Sequence, residues 1–203
     1  MTEKNKYRII NIRRYIGNEN PELGEDELRQ ILSEFSCPMN PDVERFLKYS
    51  SIEFTKKNQS VTYLVFSVAD GKLLGYFTLA LKPLTVRGET VSNTVKRKLL
   101  RVSELDKKSD TYTMSAYLIA QLGKNYSEKD GKMITGAELL GLAWDKIKAT
   151  QYMFGGMVTF LEAENEEKLL SFYRENRFSQ FDTRQTASDA EESHELVQLL
   201  RLL

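Results

Sequence analysis

Histidine is nearly missing from this chain, with His194 alone among 203 residues, and cysteine is equally scarce, with Cys37 alone. A single cysteine excludes an intrachain disulfide, and so few imidazoles and thiols exclude the usual zinc sites, so no metal is expected. Net charge is missing too. The 29 Lys plus Arg balance 29 Asp plus Glu, which removes the global basic footprint of a nucleic-acid or membrane-surface binder. No apolar run approaches the ~18 residues of a membrane span, and the charged opening Met1-Thr2-Glu3-Lys4-Asn5-Lys6 does not read as a signal peptide. No membrane partner and a cytoplasmic, reducing location are the expectations. What is present is ordinary for a globular protein: 41% hydrophobic and 29% charged residues, enough chain for one well-buried domain over 1–203.

Periodicity gives a coarse order of elements. Tyr7 to Tyr15 suits a first strand. Glu22 to Phe35 reads as a helix with Leu28, Ile31, Leu32 and Phe35 on one face. Pro38 and Pro41 break it, and Asn40 or Asp42 caps a second helix, Val43 to Lys57, presenting Val43, Phe46, Leu47 and Phe54. Two β-rich runs, Val61 to Val68 and Leu73 to Leu81, flank Asp70-Gly71, a strong hairpin signal. A basic helix is expected over Thr90 to Val102, a polar loop over Lys107 to Asp110, a strand from Tyr112 to Leu122, and a helix from Gly136 to Thr150. Phe178 to Arg184 and Glu195 to Leu203 read as a closing antiparallel pair, whose last strand offers an edge for a possible homodimer. No repeat or linker interrupts the chain. The order β-α-α-β-β-α-β-α-β-α-β-β predicts an α+β fold with a central mixed sheet.

The most informative stretch is the apolar strand Met157-Val158-Thr159-Phe160-Leu161. It runs into the acidic cluster Glu162-Ala163-Glu164-Asn165-Glu166-Glu167 and then the helix carrying Leu169, Phe172 and Tyr173, closing with Arg177-Phe178. This arrangement resembles the last segment of the GCN5-related N-acetyltransferases (GNAT). The resemblance runs from about Val61 to the C-terminus and is most specific over Gln121 to Phe178. It implies a mostly antiparallel twisted sheet flanked by helices, with a splayed strand before a phosphate-binding loop and helix. It also implies acetyl-CoA as cosubstrate, with acetyl transfer to a primary amine.

The same resemblance assigns residues. Asn165 would contact pantetheine and Tyr173 would face the thioester sulfur. Gln121-Leu122-Gly123-Lys124 would be the splayed strand, with Gly123 at a bulge and the Leu122 N–H polarising the acetyl carbonyl. Gly131-Lys132-Met133-Ile134-Thr135-Gly136-Ala137 would be the phosphate loop and helix start. That loop departs from the family's pattern of Arg or Gln, two residues, Gly, one residue, then Gly or Ala. Aligned on Gly136, Ile134 replaces the middle glycine; aligned on Gly131, Met133 and Thr135 fall on the glycine positions. Residue type alone gives each position a blander reading, with Tyr173 in a helical core stripe, Asn165 in local helix-start bonds and the glycines in an ordinary turn.

No general base stands out: Glu162, Glu53, Glu104 and Tyr117 are candidates of equal weight, and a partly deprotonated amine needs only proximity and orientation. A narrower resemblance is to toxin acetyltransferases that modify charged transfer RNA. It is carried by Ser60-Val61-Thr62-Tyr63, Gly75-Tyr76-Phe77-Thr78-Leu79, the basic helix with Lys96, Arg97, Lys98 and Arg101, and Gln121-Leu122-Gly123. That would make an aminoacyl-tRNA the acceptor. A reading from another class is a non-catalytic acyl-CoA-binding or scaffold protein, for which Met133 and Thr135 in the loop are the main argument.

Overall fold

The elements run β1 (Tyr7–Asn11), α1 (Arg13–Ile16), α2 (Glu25–Ser33), α3 (Pro41–Arg45), α4 (Ser51–Lys56), β2 (Val61–Ser67), β3 (Leu73–Arg87), α5 (Asn93–Leu99), β4 (Glu104–Asp106), β5 (Thr111–Lys124), α6 (Gly136–Phe154), β6 (Val158–Glu164), α7 (Glu167–Glu175), β7 (Ser179–Gln185) and β8 (Glu195–Leu202). The computed structural model describes residues 6–17, 22–127, 133–186 and 195–203. Eight strands form one mixed, mostly antiparallel sheet in the order β1-β2-β3-β5-β6-β8-β7, with β4 paired to β5 off that path, and helices flank it. The chain divides into two compact units, Met1–Ala80 with Ile119–Asp145 and Leu81–Leu118 with Lys146–Leu203.

In the first unit β1 pairs antiparallel with β2 from Tyr7↔Ser67 to Asn11↔Tyr63. The expected strand through Tyr15 stops at Asn11 because the Asn11 side chain accepts from the Arg13 N–H at 3.0 Å, a local bond that turns the chain into α1. At the β2–β3 hairpin Gly71 takes φ +71° as the Asp70-Gly71 signal demands, and the Ser67 N–H donates to the Lys72 carbonyl at 2.9 Å. Asn40 caps α3 by accepting from the Val43 N–H at 3.1 Å, with Pro41 next in line. A π-helical turn, Phe46–Ser50, joins α3 to α4. Its wider turn rotates the inward face, so Ser51, Ile52 and Thr55 are buried while Phe54, expected inside, is 41% exposed.

One core of this unit joins Ile12, Leu28, Leu32, Phe35, Leu47 and Tyr76; a second packs Ile134, Leu139 and Ala143 of the α6 segment against Val65, Leu74 and Phe77.

In the second unit the core gathers residues such as Leu84, Val86, Leu99, Met114, Phe160 and Leu200. β6 pairs with β8 over its whole length, Val158↔Leu202 to Glu164↔Leu196. Its parallel ladder to β5 consists only of Tyr117↔Thr159 and Leu118↔Phe160. β7 pairs with the other side of β8. The expectation that the last strand offers a dimer edge therefore fails: β8 has a neighbour on both sides, and β7 is the outer strand. The basic helix is shorter than expected, because Ser92 caps it by accepting from the Val95 N–H at 3.3 Å. β4, which no periodicity announced, is three residues long and lies below the length at which alternation is readable.

Candidate active site

In the first unit the end of β5 is shaped by two glycines. A Cβ on Gly123 would lie 2.4 Å from Val43 Cγ1 and 2.9 Å from Tyr76 Cε1, and one on Gly75 would lie 2.6 Å from the Gly123 carbonyl oxygen. The close approach expected at Gly123 is thus an approach of core side chains. The Tyr76 hydroxyl donates to the Val43 carbonyl at 2.6 Å, which holds α3 against this strand. Gln121, Leu122 and Lys124 are half-buried, and the Lys124 ammonium lies 5.3 Å from the Tyr126 ring centroid. Asn125 was not anticipated. Its Oδ1 accepts from the Ser36 and Ser127 N–H groups at 2.9 and 3.0 Å, and its Nδ2 donates to the Leu73 carbonyl at 2.9 Å. It ties the strand end to β3 and to the segment after α2.

Gly131 and Lys132 lie outside the described residues. Met133 is 46% exposed, whereas Ile134 is 2% exposed and belongs to the core, so only its backbone is open to a ligand role. Thr135 caps α6 in a reciprocal box. Its N–H and hydroxyl donate to Glu138 Oε2 at 2.8 and 2.7 Å, and its Oγ1 accepts from the Glu138 N–H at 3.1 Å. Thr-x-x-Glu ahead of an apolar helix is the local sequence signal of this cap. The Tyr7 hydroxyl also donates to Glu138 Oε1 at 2.9 Å. The Thr135 N–H, the Thr135 hydroxyl and Tyr7, in that order, hold the Glu138 carboxyl below its usual range. Gly136 and Ala137 occupy the first turn, and among the described residues their N–H groups have no acceptor.

In the second unit β6 carries the acidic end of the motif. Beyond Phe160 its edge opposite β8 has no ladder partner among the described residues. Asn165 does not begin the helix: it precedes Glu166, the N-cap of α7, lies exposed, and donates to Glu195 Oε1 at 3.5 Å. Tyr173 sits on the inner face of α7 at 8% exposure, its ring edge-on to Phe172 and Phe178 at 5.1 and 5.9 Å. Among the described residues its hydroxyl has no hydrogen-bond partner. Burial pushes its pKa up to about 12.

The candidate bases fare differently. Burial raises the Glu162 carboxyl, but Arg184 and Gln198 outweigh it and hold the group below its usual range. Arg184 forks onto it at 2.8 and 2.5 Å and Gln198 Nε2 donates at 2.8 Å, so Glu162 is committed to a structural pair. The Tyr117 hydroxyl donates to the Gly155 carbonyl and its ring packs on Gly156 at φ +95°, so it anchors a turn. Glu53 pairs with Lys56 at 3.5 Å, and Glu104 lies exposed on β4.

No protein-family model matches the sequence, and no curated protein matches it significantly. Solved structures do match. AtaT complexed with acetyl-methionyl-tRNAfMet aligns with TM-score 0.61 at 16% identity, over 94% of this chain and 93% of that one. A tyrosine-to-phenylalanine mutant of KacT aligns with TM-score 0.63 at 18% identity, over 97% and 95%. The AtaTR complex bound with AcCoA aligns with TM-score 0.56 at 15% identity, over 97% and 93%. At these identities the likeness is one of architecture: the chain shares the fold of AtaT and KacT, which is the GNAT-like fold that the sequence resemblance implies.

Proposed function

We propose that the chain, acting as one catalytic domain, is an acetyl-CoA-dependent N-acetyltransferase. The observation that carries this reading is the placement of Tyr173: on the inner face of the helix that follows an open-edged strand, its ring packed against Phe172 and Phe178 and its hydroxyl without a protein partner among the described residues, at the position the family resemblance gives to the residue facing sulfur.

In the reaction, the neutral amine nitrogen attacks the thioester carbonyl carbon, the carbon–sulfur bond breaks, and the amine proton leaves to solvent or a base. With its pKa near 12, Tyr173 is a weaker acid than a thiol, so it donates a hydrogen bond to the departing thiolate and retains its proton until late. The open edge of β6 suits pairing with extended pantetheine, and Asn165 lies at its end. The N–H groups of Gly136 and Ala137, without an acceptor among the described residues and at the positive end of α6, suit the pyrophosphate. Glu138, anionic at the same turn, makes this a weaker anion site than a glycine-only loop.

Proximity and orientation supply the rest, since no carboxylate stands out as base. A second reading, with aminoacyl-tRNA as acceptor, is favoured by the neighbour solved with acetyl-methionyl-tRNAfMet. In this chain Lys96 is engaged by Asp110 at 2.9 Å, but Arg97, Lys98 and Arg101 of the α5 region have no carboxylate partner among the described residues.

Calorimetric titration with acetyl-CoA, CoA and dephospho-CoA tests the cofactor, followed by transfer of labelled acetyl to small amines and to charged transfer RNAs. Saturable binding with transfer is expected. Binding without transfer to any amine would favour the scaffold reading, and folded protein that binds neither thioester nor CoA would end the acetyltransferase reading.

A further inference from the structure

A cavity of the second unit, about 420 Å³, has no role in the acetyl-transfer reading. It opens where the N-terminal side of α5 faces the start of β7 and the end of β8. Arg177 and Arg201 stand at its wall, Thr90 and Ser92 add hydroxyls, Phe181 and Leu200 form an apolar floor, and no carboxylate lines it. The volume is in the range of small-ligand sites.

We propose that this cavity binds a phosphate group carried on an apolar or planar body, as in a nucleotide, with Arg177 and Arg201 gripping the phosphate. Two guanidinium forks match phosphate oxygens in geometry as well as charge. Arg201 is held in place: its Nη1 donates to the Asn176 carbonyl at 3.2 Å and its guanidinium lies 6.0 Å from the Phe178 ring. Burial, and then the charge of Arg177, make the Arg201 guanidinium easier to deprotonate than usual, which places the two cations close together. Arg177 is kept here at φ +66°, a conformation that costs a branched or long side chain strain. Among the described residues no carboxylate pairs with it.

The test titrates the full chain with adenosine monophosphate, inorganic phosphate, and a short single-stranded RNA with and without a 5′-phosphate. Arg177→Gly is the variant, because glycine accepts that φ without strain and the protein stays folded. Binding of the monophosphate, weakened roughly tenfold or more in Arg177→Gly with acetyl-CoA affinity unchanged, supports a free-nucleotide site. Binding only of the 5′-phosphorylated RNA, with the same loss, supports the site with the phosphate carried on a nucleic-acid end. The proposal fails if none of the probes saturates, if Arg177→Gly binds as well as the parent, or if acetyl-CoA competes and is itself weakened by the substitution. It is independent of acetyl transfer, so an inactive protein that still loses the monophosphate with Arg177→Gly leaves it standing.

Discussion

Tyr173 is a donor at every pH at which the protein is worked with, because burial raises its pKa from 10 to about 12. Replacing it with phenylalanine keeps the edge-on packing against Phe172 and Phe178 and removes only the hydroxyl. Turnover is expected to fall about a hundredfold, the scale of one positioned proton donor, while acetyl-CoA affinity holds. Steady-state kinetics beside calorimetry would show this, and a parallel loss of affinity would mean the hydroxyl binds and does not act on the leaving group. The same burial has a stability consequence. The folded chain resists ionising this phenol, so its contribution is complete below pH 10 and is lost as pH rises toward about 12. Tyr173→Phe should therefore melt with a shallower decline over that window.

Glu162 behaves in the opposite sense. Its folded pKa lies below the ordinary carboxylate value of 4.5, so its ion pair contributes above that pH and is lost as pH falls through the lowered value. Glu162→Ala leaves Arg184 and Gln198 without their acceptor and should cost on the order of 1–2 kcal/mol at neutral pH. Thermal melting should show that deficit shrinking in acid. If the variant is instead fully stable but inactive, Glu162 is the base after all.

At the scale of elements, two devices shape the end of β5 and the start of α6 in the first unit. Gly123 lets β5 lie against α3. In Gly123→Ala the new methyl would sit 2.4 Å from Val43 Cγ1 and 2.9 Å from Tyr76 Cε1. Overpacking of this kind costs about 1–3 kcal/mol, or a melting shift of roughly 2–4 °C per kcal/mol in a chain of this size. Acetyl-CoA binding should weaken with it, since Asn125 and the segment after β5 move with the strand. A variant that melts like the parent would show that α3 yields easily and that the glycine is dispensable. The Thr135 box is the second device. It uses the Glu138 carboxylate to organise the start of α6, where the Gly136 and Ala137 N–H groups have no acceptor among the described residues. Both are legible in the sequence as residue types, a glycine at a strand end and Thr-x-x-Glu before a Leu-Leu helix. Which neighbour the glycine admits could not be read, because Val43, Tyr76 and Phe35 are distant in sequence. The π-helical turn is similar: periodicity extrapolated from Val43 and Leu47 points to Phe54, and one extra residue per turn moves the face to Thr55.

At the scale of the whole molecule, a ligand that binds only the folded chain must stabilise it. Acetyl-CoA at a hundredfold excess over its dissociation constant should add about 2.7 kcal/mol, readable as a melting shift of several degrees. The absence of any shift at saturating acetyl-CoA would contradict the cofactor assignment. Zero net charge argues against long-range steering of a polyanion, so a transfer-RNA acceptor would depend on local groups such as Arg97, Lys98 and Arg101, and its binding should weaken steeply with salt.

The division between what sequence and fold each decide follows from the range of the interactions. The α+β order, the Asp70-Gly71 hairpin, the Asn40 cap and the strand–helix segment ending in Tyr173 rest on neighbours a few residues apart, and composition and spacing determined them. Tertiary structure alone decided the rest. It inserted β8 between β6 and β7, which closed the expected dimer edge. It stopped the β5–β6 ladder after two residue pairs, turned Ile134 into the core, and locked Glu162 onto Arg184. Each of these is a pairing between segments far apart along the chain, settled by packing and by the satisfaction of buried polar groups, and no local pattern encodes which distant partner arrives.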